Sequence, residues 1–258
     1  MSGLLYRWGR LAAMRPWRVI AVWLVAVVAT QSICVLGCLV LPERLGNRDA
    51  ALFLLTSFWL CGGMLYIWII SLIFYRYMFF RFEPSDLIPP YWINMGAMAI
   101  STLAGTTLIG SAGDAELIRS LRPFVQGLTI LYWATATWWI PMLVVLGIWR
   151  HYVRRVPFTY DPLYWGLVFP LGMYSVATYR LVDVFGLPFL TWIARGFVVV
   201  AIIAWMLTFS GLVTRILYAA LLAVRALAPM LPFGEHATAR VSPLDAAGVN
   251  PSSHGGST

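Results

Sequence analysis

The sequence predicts an all-α fold, a polytopic membrane bundle of six transmembrane helices in three hairpins. Hydrophobic residues make up 61% of the 258 residues and charged residues only 11%, whereas an average soluble domain is about half apolar and about a quarter charged. The apolar residues fall in blocks of about twenty, the length that an α-helix needs to cross hydrocarbon about 30 Å thick. These blocks lack the roughly ten-residue alternation of a membrane β-barrel, so helices that satisfy their own backbone hydrogen bonds are expected.

Six such blocks are the predicted spans. They cover residues 19–41, 51–75, 91–112, 124–149, 163–182 and 188–209. The first block follows a basic segment, as the apolar part of a signal peptide does. Its apolar run is about twice as long as that of a typical signal peptide, so we predict a retained helix. The connections between the blocks are short, so consecutive helices are expected to be antiparallel neighbours.

The spans also divide the chain into regions. We predict a cytoplasmic and interfacial N-terminal segment (1–18), a six-helix transmembrane domain (19–211), an amphipathic extension on the cytoplasmic side (212–233) and a disordered tail (234–258). The tail is rich in small and polar residues and contains proline, a composition typical of disorder. The even-numbered spans are bulkier than the third span, so the odd-numbered spans are expected to form an inner layer.

The arginines predict the orientation of the chain. All 18 cationic residues are arginine, and the formal net charge is +8. Twelve arginines lie in the N-terminal segment, the second and fourth connections and the tail region, while five flank the opposite side and Arg195 lies within the sixth span. The positive-inside rule then places both termini in the cytoplasm of a multi-pass protein of the inner (plasma) membrane. The arginines form no single basic stripe, so the lipid bilayer is an expected partner and nucleic acid is not.

Side chains suited to catalysis or metal binding are scarce in the spans. Two of the three histidines lie in the tail and the third, His151, lies in a basic connection; no Asp or Glu occupies the middle of a span. Cys34, Cys38 and Cys61 have no membrane-embedded histidine or carboxylate to complete a metal site. We therefore predict no enzyme, no catalytic residue, no metal and no cofactor. A cation-coupled carrier would normally need an intramembrane carboxylate, whereas dipoles, hydroxyls and arginines suffice for an anion path.

The third span is rich in small and hydroxylated residues. Its candidate pore-lining positions share one helical face: Asn94, Ala97, Ser101 and Gly105. Small residues let neighbouring helices approach closely, so this face can be a packing surface. It can also be the narrow polar lining of a pathway. Spacing alone favours packing and leaves both interpretations open.

The fifth span contains a predicted kink near its centre, formed by Gly166, Pro170 and Gly172. Proline has no N–H, its ring clashes with the carbonyl four residues earlier, and it disfavours helical dihedrals in the preceding residue. We therefore expect a break over 166–170. Irregular backbone at membrane depth is tolerated only against protein or a water-filled cavity, so the break points either to an ordinary proline kink or to a transport pathway.

Two arginines are candidates for an outer vestibule that selects anions. Arg180 ends the fifth span, and Arg195 enters the sixth span by about two turns on the same side, with Asp183 between them in sequence. One hypothesis is an Arg–Asp pair that only neutralises costly charge. The other is a positive vestibule that raises the local concentration of anions.

Three longer stretches carry a family resemblance: "FEPSDLIPPYWINMGAMAISTLAG" (82–105), "WWIPMLVVLGIWRH" (138–151) and "YDPLYWGLVFPLGMYSVATYRL" (160–181). They resemble the tellurite-resistance/C4-dicarboxylate transporter family, relatives of the plant slow anion channels. The stretches "VVATQSICVLG" (27–37) and "LIFYRYMF" (72–79) extend the similarity to roughly residues 19–211.

The resemblance implies a fold, a function and a site. The family's fold has ten helices in five hairpins around a central pore, with kinked inner helices and a phenylalanine that blocks the conduit; Phe169 matches that phenylalanine. The implied function is transport of small anions, either dicarboxylates or a monovalent ion, moved passively or with proton coupling.

The chain departs from the family pattern because its six spans match only the last three hairpins. Either the chain is a truncated product or a homo-oligomer completes the pore, and the sequence leaves both open. The alternative function is a nonconducting membrane remnant or an interaction subunit.

Overall fold

A computed structural model describes residues 16–41, 47–79, 89–113, 115–157 and 159–227. Most of the predicted N-terminal segment (1–18) and all of the predicted tail (234–258) lie outside these residues. The chain divides into two compact units, residues 1–212 and residues 213–258. Of the second unit only 213–227 are described; they are helical, and the side chains of 213–225 are exposed.

The described residues form six long α-helices and no β-strand, which confirms the predicted all-α class. The helices are α1 (Pro16–Val40), α2 (Arg48–Phe79), α3 (Ile93–Gly110), α4 (Glu116–Ile148), α5 (Trp165–Phe185) and α6 (Thr191–Leu227). Short 3-10 turns that begin with proline precede α3, α5 and α6, and a π-helical turn at Trp149–Val153 extends α4.

Five segments in the described part of the chain are long and apolar enough to cross a membrane. They are Val22–Val40, Arg48–Tyr75, Ile93–Gly110, Glu116–Val153 and Pro188–Arg225. The α5 helix is not among them, and it carries Arg180, Asp183 and several glycines and hydroxyl residues. The chain is therefore a helical membrane bundle, while a count of six spans stays a prediction.

Two helices, α4 and α6, extend at least eight residues beyond their predicted bounds. The α4 helix begins at Glu116 rather than at residue 124 because Ile118, which is fully buried, packs with Leu52 and Ala115 in a small separate cluster. The α6 helix continues to Leu227, so the first part of the predicted extension (212–233) belongs to the same helix. At 1.5 Å per residue, the 37 residues of α6 are about 55 Å long, more than the hydrocarbon thickness of about 30 Å.

The α3 helix occupies the centre of the bundle. Fifteen of its 18 residues are buried, and it packs most extensively against α5, α4 and α1. It is therefore the inner helix of the bundle, surrounded by helices of both odd and even number, and the predicted layer of odd-numbered spans stays a prediction. Of the α6 residues up to 212, by contrast, only Ala194 and Thr208 are buried, so this helix faces the lipid.

Buried tryptophans join α2 to α3 and α4 to α2. The indole N–H of Trp59 on α2 donates to the Ser101 carbonyl of α3 at 2.9 Å. That of Trp139 on α4 donates to the Tyr66 hydroxyl of α2 at 2.7 Å. Both tryptophans are fully buried, and a buried indole N–H without a partner would be costly. These bonds therefore fix how the helices align along the bundle.

Candidate functional site

The α5 helix contains the predicted constriction. The chain enters it through a turn in which the Asp161 carboxylate accepts the Leu163 backbone N–H at 2.8 Å. The α-helix is then continuous from Trp165 to Phe185, with Pro170 as its sixth residue. The helix therefore shows no break over 166–170, and a kink at Gly166, Pro170 and Gly172 stays a prediction. Pro170 withholds only the donor for the Gly166 carbonyl, close to the helix start, so the helix tolerates it.

Pro170 is buried against α3. A Cβ atom built on Gly96 would lie 2.9 Å from Pro170 Cγ and 3.3 Å from Pro170 Cα. The absence of a side chain at Gly96 therefore lets α5 approach α3 at the proline. Of the other two residues of the predicted kink, Gly166 is half-buried. No heavy atom of another described residue lies within 4 Å of a Cβ built on Gly172.

Phe169 lies next to this contact and projects from it. Its side chain is 48% exposed, whereas the adjacent Pro170 is buried. The described part of one chain therefore does not enclose the Phe169 ring. Because Phe169 lies in the second turn of α5, it is near the arginine-rich end of the bundle and away from mid-span.

The four α3 candidates are all buried, and two of them have defined neighbours. The Ser101 carbonyl accepts the indole N–H of Trp59 on α2 at 2.9 Å, and Gly105 lies against Thr129 of α4 and the same Trp59. These contacts favour the packing interpretation for this part of the face. Asn94 is different: it is only 1% exposed, and its Oδ1 has no hydrogen-bond partner among the described residues. It lies two residues from Gly96, so the structure brings it to the Pro170 end of α5.

A row of hydroxyl groups along α5 was missed from the sequence. The Tyr174 and Thr137 hydroxyls are 2.7 Å apart, and Thr178 accepts the indole N–H of Trp133 at 3.0 Å. The Ser175 hydroxyl donates to the Ala194 carbonyl of α6 at 2.7 Å. The three- and four-residue spacing of 171, 174, 175 and 178 is the signal that marks this face as buried. It joins α5 to α4 and α6.

At the other end of α5, the two vestibule candidates are both accessible. Arg180 and Asp183 form a loose ion pair of 3.9 Å whose side chains are 43% and 67% exposed. Exposed pairs of this kind contribute about 0–1 kcal/mol. Arg195 is exposed and makes no salt bridge with another described residue, so its charge is not neutralised by contact.

A third arginine at this end has a structural role. The Arg48 guanidinium at the start of α2 donates to the Ser111 carbonyl at 2.7 Å, and the Ser111 hydroxyl donates to the Cys38 carbonyl of α1 at 3.2 Å. These bonds tie together the ends of α1, α2 and α3. Cys34 and Cys38 are buried free thiols, and no three His, Cys, Asp or Glu side chains meet as metal ligands within the part of the chain that is described.

Comparison with known proteins gives one family and several relatives. A family model described as SLAC1, voltage-dependent anion channel, matches residues 2–213. An uncharacterized membrane protein of Mycobacterium tuberculosis is 40% identical over 148 residues, which are 57% of this chain and 75% of the relative. Two uncharacterized transporters of Methanocaldococcus jannaschii are 27% and 25% identical over 195 residues, 75% of this chain. The chain spans about half the length of these archaeal relatives, 54% and 53%. No solved structure matches the chain significantly.

Proposed function

Because the chain belongs to the voltage-dependent anion channel family, we propose that it transports small anions across a membrane. This membership confirms the resemblance carried by residues 82–105, 138–151 and 160–181. It is the observation on which the proposal rests, and it favours a channel or carrier over an enzyme. Two relatives are named as transporters, which supports the same class of function. The flux experiment below separates a C4-dicarboxylate from a monovalent ion.

The placement of charge in the bundle supports an anion over a cation. The four carboxylates in the described part of the chain are all exposed, and they lie at or just before helix ends: Asp49, Glu116, Asp161 and Asp183. The buried polar groups are hydroxyls, amides and backbone carbonyls. A permeating anion would therefore meet dipoles and no fixed negative charge in the interior, whereas a cation would lack the carboxylate that normally balances it.

We place the constriction of the conduit at Phe169. The ring is apolar and carries no charge, so it can exclude water as a hydrophobic gate does. Its 48% exposure fits a position that faces a conduit completed by further helices, either additional hairpins or other copies of the chain in a homo-oligomer. The unpaired Asn94 Oδ1 at the same end of the bundle is our choice among the α3 candidates for a lining group.

Flux through reconstituted protein tests the proposal directly. We expect the purified 258-residue chain in liposomes to release chloride, nitrate or succinate faster than protein-free liposomes, and to release potassium no faster. Imposing a pH gradient in the same assay separates proton-coupled from passive movement. Folded protein that releases none of these anions would support the alternative, a nonconducting remnant or an interaction subunit. Cross-linking before solubilisation reports whether the active form is a homo-oligomer.

The proposed orientation predicts a labelling pattern. Asn47 and Thr159 are both exposed, and the positive-inside rule places 47 outside and 159 in the cytoplasm. In a chain whose three cysteines are replaced by alanine, Asn47→Cys should react with a membrane-impermeant maleimide added to intact cells, and Thr159→Cys should react only after lysis. Labelling of position 159 alone in intact cells would reverse the orientation.

A charge at the outer end of α6 is expected to influence flux. If Arg195 concentrates anions near the conduit, Arg195→Gln should lower anion flux by about two- to tenfold at low ionic strength, and 1 M salt should reduce the difference. Arg195→Lys keeps the charge and serves as the matched control. Equal flux for the Gln and Lys variants, with normal folded yields, would assign Arg195 a structural role.

A further inference from the structure

A cavity of about 350 Å³ lies between α5 and α6, apart from the proposed conduit. Its walls come from the connection before α5, from the first turns of α5 including Leu167, and from α6 between Ala204 and Gly211. Phe169 is not part of the lining. The volume is at the lower end of the range of small-molecule pockets, about 300–1,000 Å³.

The cavity lies where only a few side-chain contacts join α5 to α6. Gly186 adopts a left-handed conformation (φ +66°) that reverses the chain. Beyond the turn, the rings of Tyr174 and Phe197 pack edge to face with centroids 4.6 Å apart. Further along, the Tyr160 ring occupies the space between the helices: a Cβ built on Gly211 would lie 2.5 Å from Tyr160 Cδ2. The ring leaves the cavity beside it unfilled.

The lining is apolar with one unsatisfied polar atom. The Tyr160 hydroxyl is buried and has no hydrogen-bond partner among the described residues. A buried hydroxyl of this kind is free, within the described part of the chain, to donate to a ligand in the cavity. Leu207, which also lines the cavity, is 69% exposed. The cavity therefore opens sideways to the surroundings of the bundle rather than towards its interior.

The depth of the cavity places its mouth at the edge of the membrane. Gly211 is 20 residues after the first residue of α6, a rise of about 30 Å, which equals the hydrocarbon thickness. The connection before α5 lies at this same edge. It carries three arginines, Arg150, Arg154 and Arg155, against one carboxylate, Asp161. That carboxylate already accepts a backbone N–H, so the surplus of positive charge favours an anionic ligand.

We propose that this cavity binds one anionic phospholipid from the adjacent leaflet. Part of an acyl chain fills the apolar space between Leu167, Ala204 and Leu207. The Tyr160 hydroxyl donates to an ester or phosphate oxygen of the same lipid, and the arginines of the connection balance the headgroup charge. The site would couple the α5–α6 hairpin to the composition of the membrane.

Native mass spectrometry of the detergent-purified full chain tests this assignment. With dioleoyl phosphatidylglycerol added, we expect one retained lipid, at an at least tenfold lower concentration than with dioleoyl phosphatidylcholine. Ala204→Phe should fill the cavity and weaken retention at least tenfold. Val199→Phe is the matched control, because Val199 is on the same helix, is 56% exposed and does not line the cavity.

Tyr160→Phe keeps the ring and removes the hydroxyl, so it should reduce the affinity for phosphatidylglycerol severalfold without lowering the melting temperature. This variant keeps the proposal testable if Ala204→Phe does not fold. Three results would overturn it: no lipid retained by the unmodified chain, equal retention by well-folded Ala204→Phe and Val199→Phe, or no preference for phosphatidylglycerol over phosphatidylcholine.

Discussion

Truncation of Phe169 to alanine is expected to raise anion flux by about tenfold, which corresponds to a barrier lower by about 1.4 kcal/mol. The ring is proposed to close the conduit by excluding water, and alanine is too small to do so. The stability cost should be modest. Replacing a phenylalanine of a packed core with alanine costs about 3–5 kcal/mol of folding stability. Phe169 is 48% exposed, so its truncation leaves no enclosed cavity.

Flux and folded yield measured together separate the two roles of the ring. Tyr179→Ala is the matched control, since Tyr179 is an aromatic residue of the same helix and is 61% exposed. It should leave flux unchanged. Potassium release should stay at background for both variants, which excludes a general leak. Normal yield without added anion flux for Phe169→Ala would show that Phe169 does not close the conduit.

The all-α class could be predicted from composition, because every backbone N–H and C=O group of a segment in lipid needs a hydrogen-bond partner and a helix supplies it within the segment. The ends of helices could not, since they depend on individual contacts. The residues before 124 are polar enough to suggest a connection. Ile118 is nevertheless buried against Leu52, and α4 begins at Glu116, about two turns earlier than predicted. Likewise, α6 continues past the length needed to cross the membrane. The apolar stretch itself reaches Arg225, so the predicted end at residue 209 followed the membrane thickness and not the hydropathy.

The contacts between helices were the hardest part to predict. A tryptophan in an apolar block looks the same in sequence whether it anchors the helix at the membrane surface or is buried. Trp59 and Trp139 are buried because carbonyl and hydroxyl partners on neighbouring helices accept their N–H groups. Those partners lie 42 and 73 residues away in the chain, so only the folded structure identifies them.

The candidate site was predicted in part. The residues alone indicated Pro170, and the family resemblance indicated Phe169. The proline does not interrupt α5, because it lies near the start of the helix. The α3 face shows that helical spacing predicts which residues share a face but not what each of them contacts. Gly105 and Asn94 share that face, yet one is packed against Thr129 and the other has an unpaired buried oxygen.

Opposite changes in stability are expected when two glycines near the site are replaced by alanine. Alanine favours a helix over glycine by up to about 1 kcal/mol, so Gly172→Ala, with nothing within 4 Å of its Cβ, should raise the melting temperature. Gly96→Ala should lower the melting temperature and reduce the free energy of unfolding by about 1–3 kcal/mol. The new Cβ would be 2.9 Å from Pro170 Cγ and 3.3 Å from Pro170 Cα, and neither a proline ring nor a backbone atom can rotate away.

Thermal unfolding of both variants in detergent measures this difference, and a second substitution tests its cause. Pro170→Ala removes the Cγ atom nearest to the new methyl group, so it should recover part of the stability lost in Gly96→Ala, with a coupling of about 0.5–3 kcal/mol. Equal shifts in the same direction for the two glycine variants would show that α3 and α5 are not in close contact at Pro170. Because Phe169 adjoins Pro170, Gly96→Ala should also displace the proposed constriction, and anion flux in this variant should change even where the protein stays folded.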